Sequence, residues 1–454
     1  MRQEFIGTEG RILLDTLRRL YRRKAWSALG KVLKKIHPAE LAWMFRHLTS
    51  RERQIVFEML KEPDRIGDFL SELDESLRLE LISTLQPRRM AEVVTTMSPD
   101  DQADLVDALP EKLREQVLAL MKKEDAEEVE ELLQYDPDTA GGIMSPDFLA
   151  MDENLKVSEA IRQVQKLSEE AEMAFYIYVV EKGEKLTGVL SLRQLLINTG
   201  DKKLANIMET DVVAVTPETD QEEVAHIVSR YNIMAVPVRD HDGVILGIVT
   251  VDDIVDVIRE EATEDFLQMV GAGKDREILL KPVLQNVWTR LPWLLASWAG
   301  GLLAMLVISS FEEELSKVLI LAGFIPVIIG MGGNIGTQSS TITIRGLATG
   351  RINIQHAWSF IGKQLRVGGI LGLIFGALLG LLAWIFADLN LGIILALAIC
   401  ATMFISALLG TLVPVILNRL DVDPAVATGP FVTTSADVLG VLIYFMLAKW
   451  LLSL

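Results

Sequence analysis

Four stretches of this chain, residues 291–311, 318–344, 367–387 and 389–418, contain no Asp, Glu, Lys or Arg. Each is at least as long as the roughly 20 residues that a helix needs to cross about 30 Å of hydrocarbon. A fifth apolar stretch, between Asp423 and Lys449, is broken by one charge, Asp437. The carboxyl-terminal third is therefore expected to be an all-α membrane domain of five spans. Basic residues set its orientation: Arg345, Arg351, Lys363 and Arg366 join spans two and three, and Lys274, Arg276, Lys281 and Arg290 precede span one. Both segments are expected in the cytoplasm, which puts the carboxyl terminus on the far side of a cell (inner) membrane.

Charge divides the chain. Residues 1–290 hold 37 basic and 55 acidic residues and so carry the whole net charge of −18. An acidic cytoplasmic body of this size holds two or three cores and is a poor binder of nucleic acid. The start, MRQEFIGTEGRILLDTLRRL, is charged and amphipathic and does not read as a cleavable signal. The lone Cys400 excludes an internal disulfide framework.

Residues 1–135 read as a superhelical stack of short helices. Apolar residues recur at three and four, and turns are marked at His37-Pro38, Glu62-Pro63, Gln86-Pro87, Ser98-Pro99 and Leu109-Pro110. An internal repeat follows over 136–200 and 201–260. Each copy reads strand, helix, strand, turn, strand, helix, with β runs at Tyr176–Val180 and Ala235–Arg239 before turns at Lys182-Gly183 and Asp242-Gly243. The repeat resembles a tandem pair of cystathionine-β-synthase (CBS) modules. Such pairs often bind adenosine nucleotides, which makes ATP a candidate ligand. The resemblance assigns contacts to Thr250 and Asp253 of the second copy; the first copy has Gln194 where the aspartate would be. Thr250 and Asp253 equally suit a helix cap.

A connecting segment over 261–285 leads to the membrane domain, 286–454. Asp253, Asp256, Glu260 and Glu264 are spaced 3, 4 and 4, which puts them on one helical face, with Glu261 and Asp265 alongside. Like charges at those spacings repel, so the face suits a divalent cation, a basic partner or simply water; Thr263-Glu264-Asp265 also suits a helix start.

Two membrane segments carry polar signals. Span two has Pro326 and then GMGGNIGTQSSTITIRG, a run expected to break the helix, with Asn334, Thr337 and Gln338 as path-lining candidates. Span five opens with DPAVATGPFVTTSAD, where two prolines and a glycine are expected to free carbonyls around Gly429 and Thr433, one turn before Asp437. Carbonyls and one carboxylate make an all-oxygen site for a hard, hydrated cation such as Mg2+. Five histidines and one cysteine offer no soft-metal cluster. The glycines at 368, 372, 376 and 380 in span three read as a helix-packing stripe.

With HPAEL at 37–41, DTAGG at 138–142, the CBS pair, GGNIGTQSS and DPAVATGPFVTTSAD, essentially the whole chain resembles the MgtE family of magnesium channels. The resemblance implies a homodimer in the lipid bilayer, with spans two and five lining a pore for Mg2+ as both substrate and regulator. It places pore contacts on Gly429, Thr433 and Asp437. Cytoplasmic magnesium contacts fall on Asp100, Asp104, Asp253, Asp256, Glu261, Glu264 and Asp265, and the connecting helix acts as a plug. Gly429 departs from members that carry asparagine there. A secondary transporter and a nucleotide sensor without transport are the other function classes. An enzyme finds little support, with no GxxxxGK[ST] loop and no nucleophile–base pairing.

Overall fold

The structure is a computed structural model that describes residues 8–167, 175–182, 185–273, 278, 282–352, 357–420, 422–427 and 429–452. The chain separates into two compact units, Met1–Ile258 and Arg259–Leu454.

The first unit begins with α1 (Thr8–Arg22), α2 (Trp26–Leu33), α3 (Pro38–Phe45), α4 (Ser50–Glu58), α5 (Pro63–Ser71), α6 (Glu75–Ile82), α7 (Pro87–Val94), α8 (Pro99–Asp107), α9 (Glu111–Leu118) and α10 (Lys123–Leu132). Proline starts four of them at N1, where its missing N–H would be unsatisfied anyway. Thr49 and Glu52 form a capping box at α4. Successive odd-numbered helices pack on one another from α1 to α9, as do α4 on α6 and α8 on α10, which is the superhelical stack read from the sequence. Their core, built around Phe45, Phe69 and Leu105, runs without a break into the second CBS module at Val224, Val236 and Val249.

In the first CBS module, β1 (Ala150–Asp152) pairs in parallel with β2 (Tyr176–Glu181), which pairs antiparallel with β3 (Lys185–Ser191). Helices α11 (Val157–Leu167) and α12 (Leu192–Ile197) complete it. The second module has α13 (Gln221–Tyr231) and the hairpin β4 (Ala235–Arg239) and β5 (Ile245–Thr250). Its expected opening strand is only an isolated bridge, Val215 to Val238. Gly243, at φ +86, supplies the positive φ that the tight turn needs; Gly183, expected in the equivalent turn, lies outside the described residues.

One continuous helix, α14 (Val251–Met269), follows β5, so the helix start expected at Thr263 is absent. In the second unit come α15 (Val283–Ser310), a short α16 (Glu312–Lys317), α17 (Ile320–Ala348), α18 (Ala357–Phe386), α19 (Leu389–Arg419) and α20 (Pro430–Leu452). Helices α15, α17, α18, α19 and α20 are each long and apolar enough to cross a membrane. The central one is α19, packed against α17, α18 and α20.

Span two corrects an expectation: it is unbroken, with Pro326 and the glycine run inside α17. The physical reason is its neighbours. Gly332 and Gly336 are buried against Thr402 and Ser406 of α19, and a β-carbon on Gly410 would fall 2.2 Å from the Gly336 carbonyl. Small residues four apart let these backbones meet, and in hydrocarbon an intact helix satisfies every backbone group. The stripe in α18 acts similarly: β-carbons on Gly372, Gly376 and Gly380 would strike backbone atoms of Cys400, Ala396 and Gly392.

Candidate metal sites

Span five begins after a 3-10 turn, Pro424–Ala427, whose start is capped by Asp423 accepting from the Ala425 amide at 2.8 Å. Gly429 precedes the helix, so the expected interruption is real at this end. Its carbonyl is loosely held, accepting from the Thr433 amide at 3.4 Å and the Thr433 hydroxyl at 3.0 Å. The Thr433 carbonyl lies within regular helix and is not freed as expected. Gly429 itself stands against Gly271 and Trp293.

Asp437, one turn beyond Thr433, is half-buried. Its Oδ1 lies 3.6 Å from the position of a β-carbon on Gly333, so spans two and five meet at this carboxylate. Next to it on α17, Asn334 and Gln338 are exposed and Thr337 is half-buried. Uncovered amides near the middle of a 29-residue span are costly in lipid and call for water or another chain. A polar seam missed by the sequence reading lies behind them. Ser340, Thr402 and Ser406 are buried with no hydrogen-bond partner among the described residues, whereas Thr343 and Thr411 bond back to carbonyls four residues earlier.

Two acidic clusters lie outside the spans. In the first unit, the start of α8 brings Asp100 beside Asp253 at the start of α14. Burial, then repulsion from Asp253 and Asp101, pushes the Asp100 carboxyl up to about 8, against bonds from Ser98 and its own amide. Burial also leads in raising Asp253 to about 6. Asp100 Oδ1 is buried without a partner. Asp101, absent from the sequence-derived set, accepts from the Ser71 hydroxyl at 2.8 Å. Asp104 and Asp256 are exposed.

The second cluster, in the second unit, gathers Glu264 and Asp265 of α14 with Asp423. Burial and then Asp423 raise Asp265 to about 6, while Arg345 opposes the shift. Gln268, only 1% exposed, donates to Glu264 at 3.0 Å and to Asp423 at 2.8 Å. Asp423, Gln268 and Arg345 were missed because they are far from one another in sequence. Glu261 is half-buried one turn before Asp265. Among the described residues no three acidic, histidine or cysteine side chains converge on one metal position.

The nucleotide candidates bond to each other at the start of α14. The Thr250 hydroxyl lies within hydrogen-bonding reach of the Asp252 and Asp253 carboxylates, and Asp253 also accepts from the Thr250 amide. In the first module Ser191 and Gln194 form a capping box. Thr250 additionally lines a small cleft with Phe175, Tyr176, Tyr178, Met234, Ala235 and Ile248. Tyr178 O–H is buried there with no partner among the described residues.

Family models match most of the chain: an MgtE intracellular N domain at 36–138, CBS domains at 140–198 and 204–260, and an MgtE divalent cation transporter at 325–447. The magnesium transporter MgtE of Bacillus subtilis is 34% identical over 418 residues, 92% of each chain. That of Thermus thermophilus is 36% identical over 442 residues, covering 94% of this chain and 95% of its own. Among solved structures, the cytosolic domain of the Mg2+ channel MgtE in complex with ATP aligns with 54% of this chain and 99% of its own. That alignment has 35% identity and a TM-score of 0.51.

Proposed function

This chain belongs to the MgtE family of magnesium transporters, and on that premise we propose that it is a passive Mg2+ channel, assembled as a homodimer and gated from the cytoplasm. The observation that carries the reading is the meeting of Asp437 with Gly333, beside the uncovered Asn334 and Gln338 at mid-span. A second copy covering that polar face leaves a water-filled path in which the Asp437 carboxylate selects a hydrated divalent ion. Thr433 and the loosely bonded Gly429 carbonyl add neutral oxygens one and two turns earlier.

Gating follows from the acidic clusters. With Mg2+ scarce, the charges of Asp100 and Asp253, and of Glu264, Asp265 and Asp423, repel and loosen α14. With Mg2+ plentiful, ions bridge them and hold it in its plugging position, with Asp104, Asp256 and Glu261 adding weaker contacts. A full swing of such a gate needs about 5.5 kcal/mol of differential binding, within reach of several weak sites acting together. ATP in the Thr250 cleft tunes the same equilibrium, a reading supported by the ATP complex of the similar cytosolic domain.

A proton-coupled transporter needs a further intramembrane acid or base to relay the proton, and the uncharged runs of the spans supply only Asp437. Planar-bilayer recording of the full chain under a Mg2+ gradient tests the proposal. Currents should reverse at the Mg2+ equilibrium potential at every pH and Na+ concentration. A reversal potential set by the proton or Na+ gradient would remove the channel reading.

A further inference from the structure

The first two helices have the opposite charge to the rest of the soluble body. Residues 8–36 hold nine basic and two acidic residues, a net of +7, whereas residues 37–290 hold 27 basic and 52 acidic, a net of −25. They also lie ahead of residue 36, where the match to the MgtE intracellular N domain begins. Leu14 and Leu17 bury one side of α1. On the other, Ile12, Arg19, Arg22 and Arg23 follow at helical spacing, with Ile12 57% exposed and the three arginines also exposed. Lys24, at φ +53, turns the chain into α2 and brings out Trp26, 41% exposed and edge-on to Tyr21 at 5.9 Å. Lys31 on α2, and Lys34 and Lys35 just past its end, are exposed. Of these cations only Lys34 has an acidic partner among the described residues, Glu62.

We propose that this α1–α2 corner is a peripheral docking surface for anionic phospholipid, its arginines and lysines among the headgroup phosphates and Ile12 and Trp26 at the interface. Three observations select lipid over an acidic protein. Charge alone would suit either, but a cationic face carrying an exposed Ile and Trp matches an interfacial helix, which needs both charge and an apolar foothold. The chain crosses a bilayer, so the lipid surface is present at high effective concentration. The remaining −25 is repelled by an anionic leaflet, so within a Debye length this corner is the part of the body that approaches it favourably.

The test uses the full chain in nanodiscs of phosphatidylcholine alone or mixed with phosphatidylglycerol, with lysine acetylation rates read by mass spectrometry. Lys24, Lys31 and Lys35 should react roughly fivefold or more slowly in the anionic discs, as ordered by surface charge. Exposed Lys61 and Lys112 should not change, high salt should abolish the difference, and Arg19→Glu/Arg22→Glu/Arg23→Glu should too. Ile12→Ser/Trp26→Ser keeps the charge and should lose part of the protection; full retention would overturn the apolar seating. Equal rates in both discs overturn the proposal. So does protection independent of lipid charge, which would indicate a second copy, and so does protection reproduced in phosphatidylcholine discs by inorganic phosphate.

Discussion

The Gln268 amide donates to the Asp423 carboxylate at 2.8 Å and to Glu264 at 3.0 Å, joining the last turn of α14 to the turn that begins span five. A neutral donor thus holds together two acids that would otherwise repel. Gln268→Leu is expected to weaken this contact by about 1.5–3 kcal/mol, the range for hydrogen bonds to charged groups. Proteolysis of the full chain without Mg2+ should then cut faster between Phe266 and Met269, and millimolar Mg2+ should restore protection. An unchanged cleavage rate would leave Gln268 without this role.

Asp437→Ala is expected to reduce selective Mg2+ uptake at least tenfold, with Asp437→Glu retaining part of it, because the carboxylate charge offsets ion desolvation. Uptake into proteoliposomes at micromolar Mg2+ is the measurement. Wild-type uptake by the alanine variant would exclude this residue from the path.

If Asp100 holds Mg2+ as proposed, it links Mg2+ to pH. Its folded value, about 8, lies above the unfolded value near 4, so its contact with Asp253 is fully stable below about pH 4 and weakens as pH rises through 8. Asp100→Asn should therefore raise the melting temperature in Mg2+-free buffer at pH 8 and change little at pH 4. Because a bound cation must displace that proton, protection of wild-type protein by Mg2+ should need more ion at pH 6 than at pH 8. A pH-independent requirement would contradict the assignment.

Calorimetry should detect ATP binding to the wild-type chain, with Thr250→Val weakening it through the lost hydroxyl. The same variant loses the hydroxyl's bonds to the Asp252 and Asp253 carboxylates, expected to cost about 1.5–3 kcal/mol, so thermal melting separates the two effects. Absence of ATP binding at millimolar concentration would leave Thr250 and Asp253 with a structural role only.

Gly376→Leu should destabilise the membrane unit, since even a β-carbon would lie 2.6 Å from the Ala396 carbonyl. Overpacking of this kind costs about 1–3 kcal/mol. Gly301→Leu, with open space at its β-carbon position, is the control; equal melting temperatures in detergent for the two variants would refute the packing role.

The sequence alone determined what depends on neighbours along the chain. Runs without charge mark the five spans, apolar spacing and Xaa-Pro pairs mark α3, α5, α7 and α8, and alternating β runs around short turns mark the CBS hairpins. Asp437 stood out because a charge at that depth is costly wherever the helix faces. Tertiary structure decided what depends on partners distant in sequence. Glycine permits both a broken helix and a close helix pair, and only the presence of α19 and α20 against Gly332 and Gly336 made span two continuous. The acidic stripe was visible, but its division was not: Asp253 turns to Asp100 in the first unit, and Asp265 turns to Asp423 in the second. Those pairings span over 150 residues of chain and leave no local period, so only the packed fold reveals them.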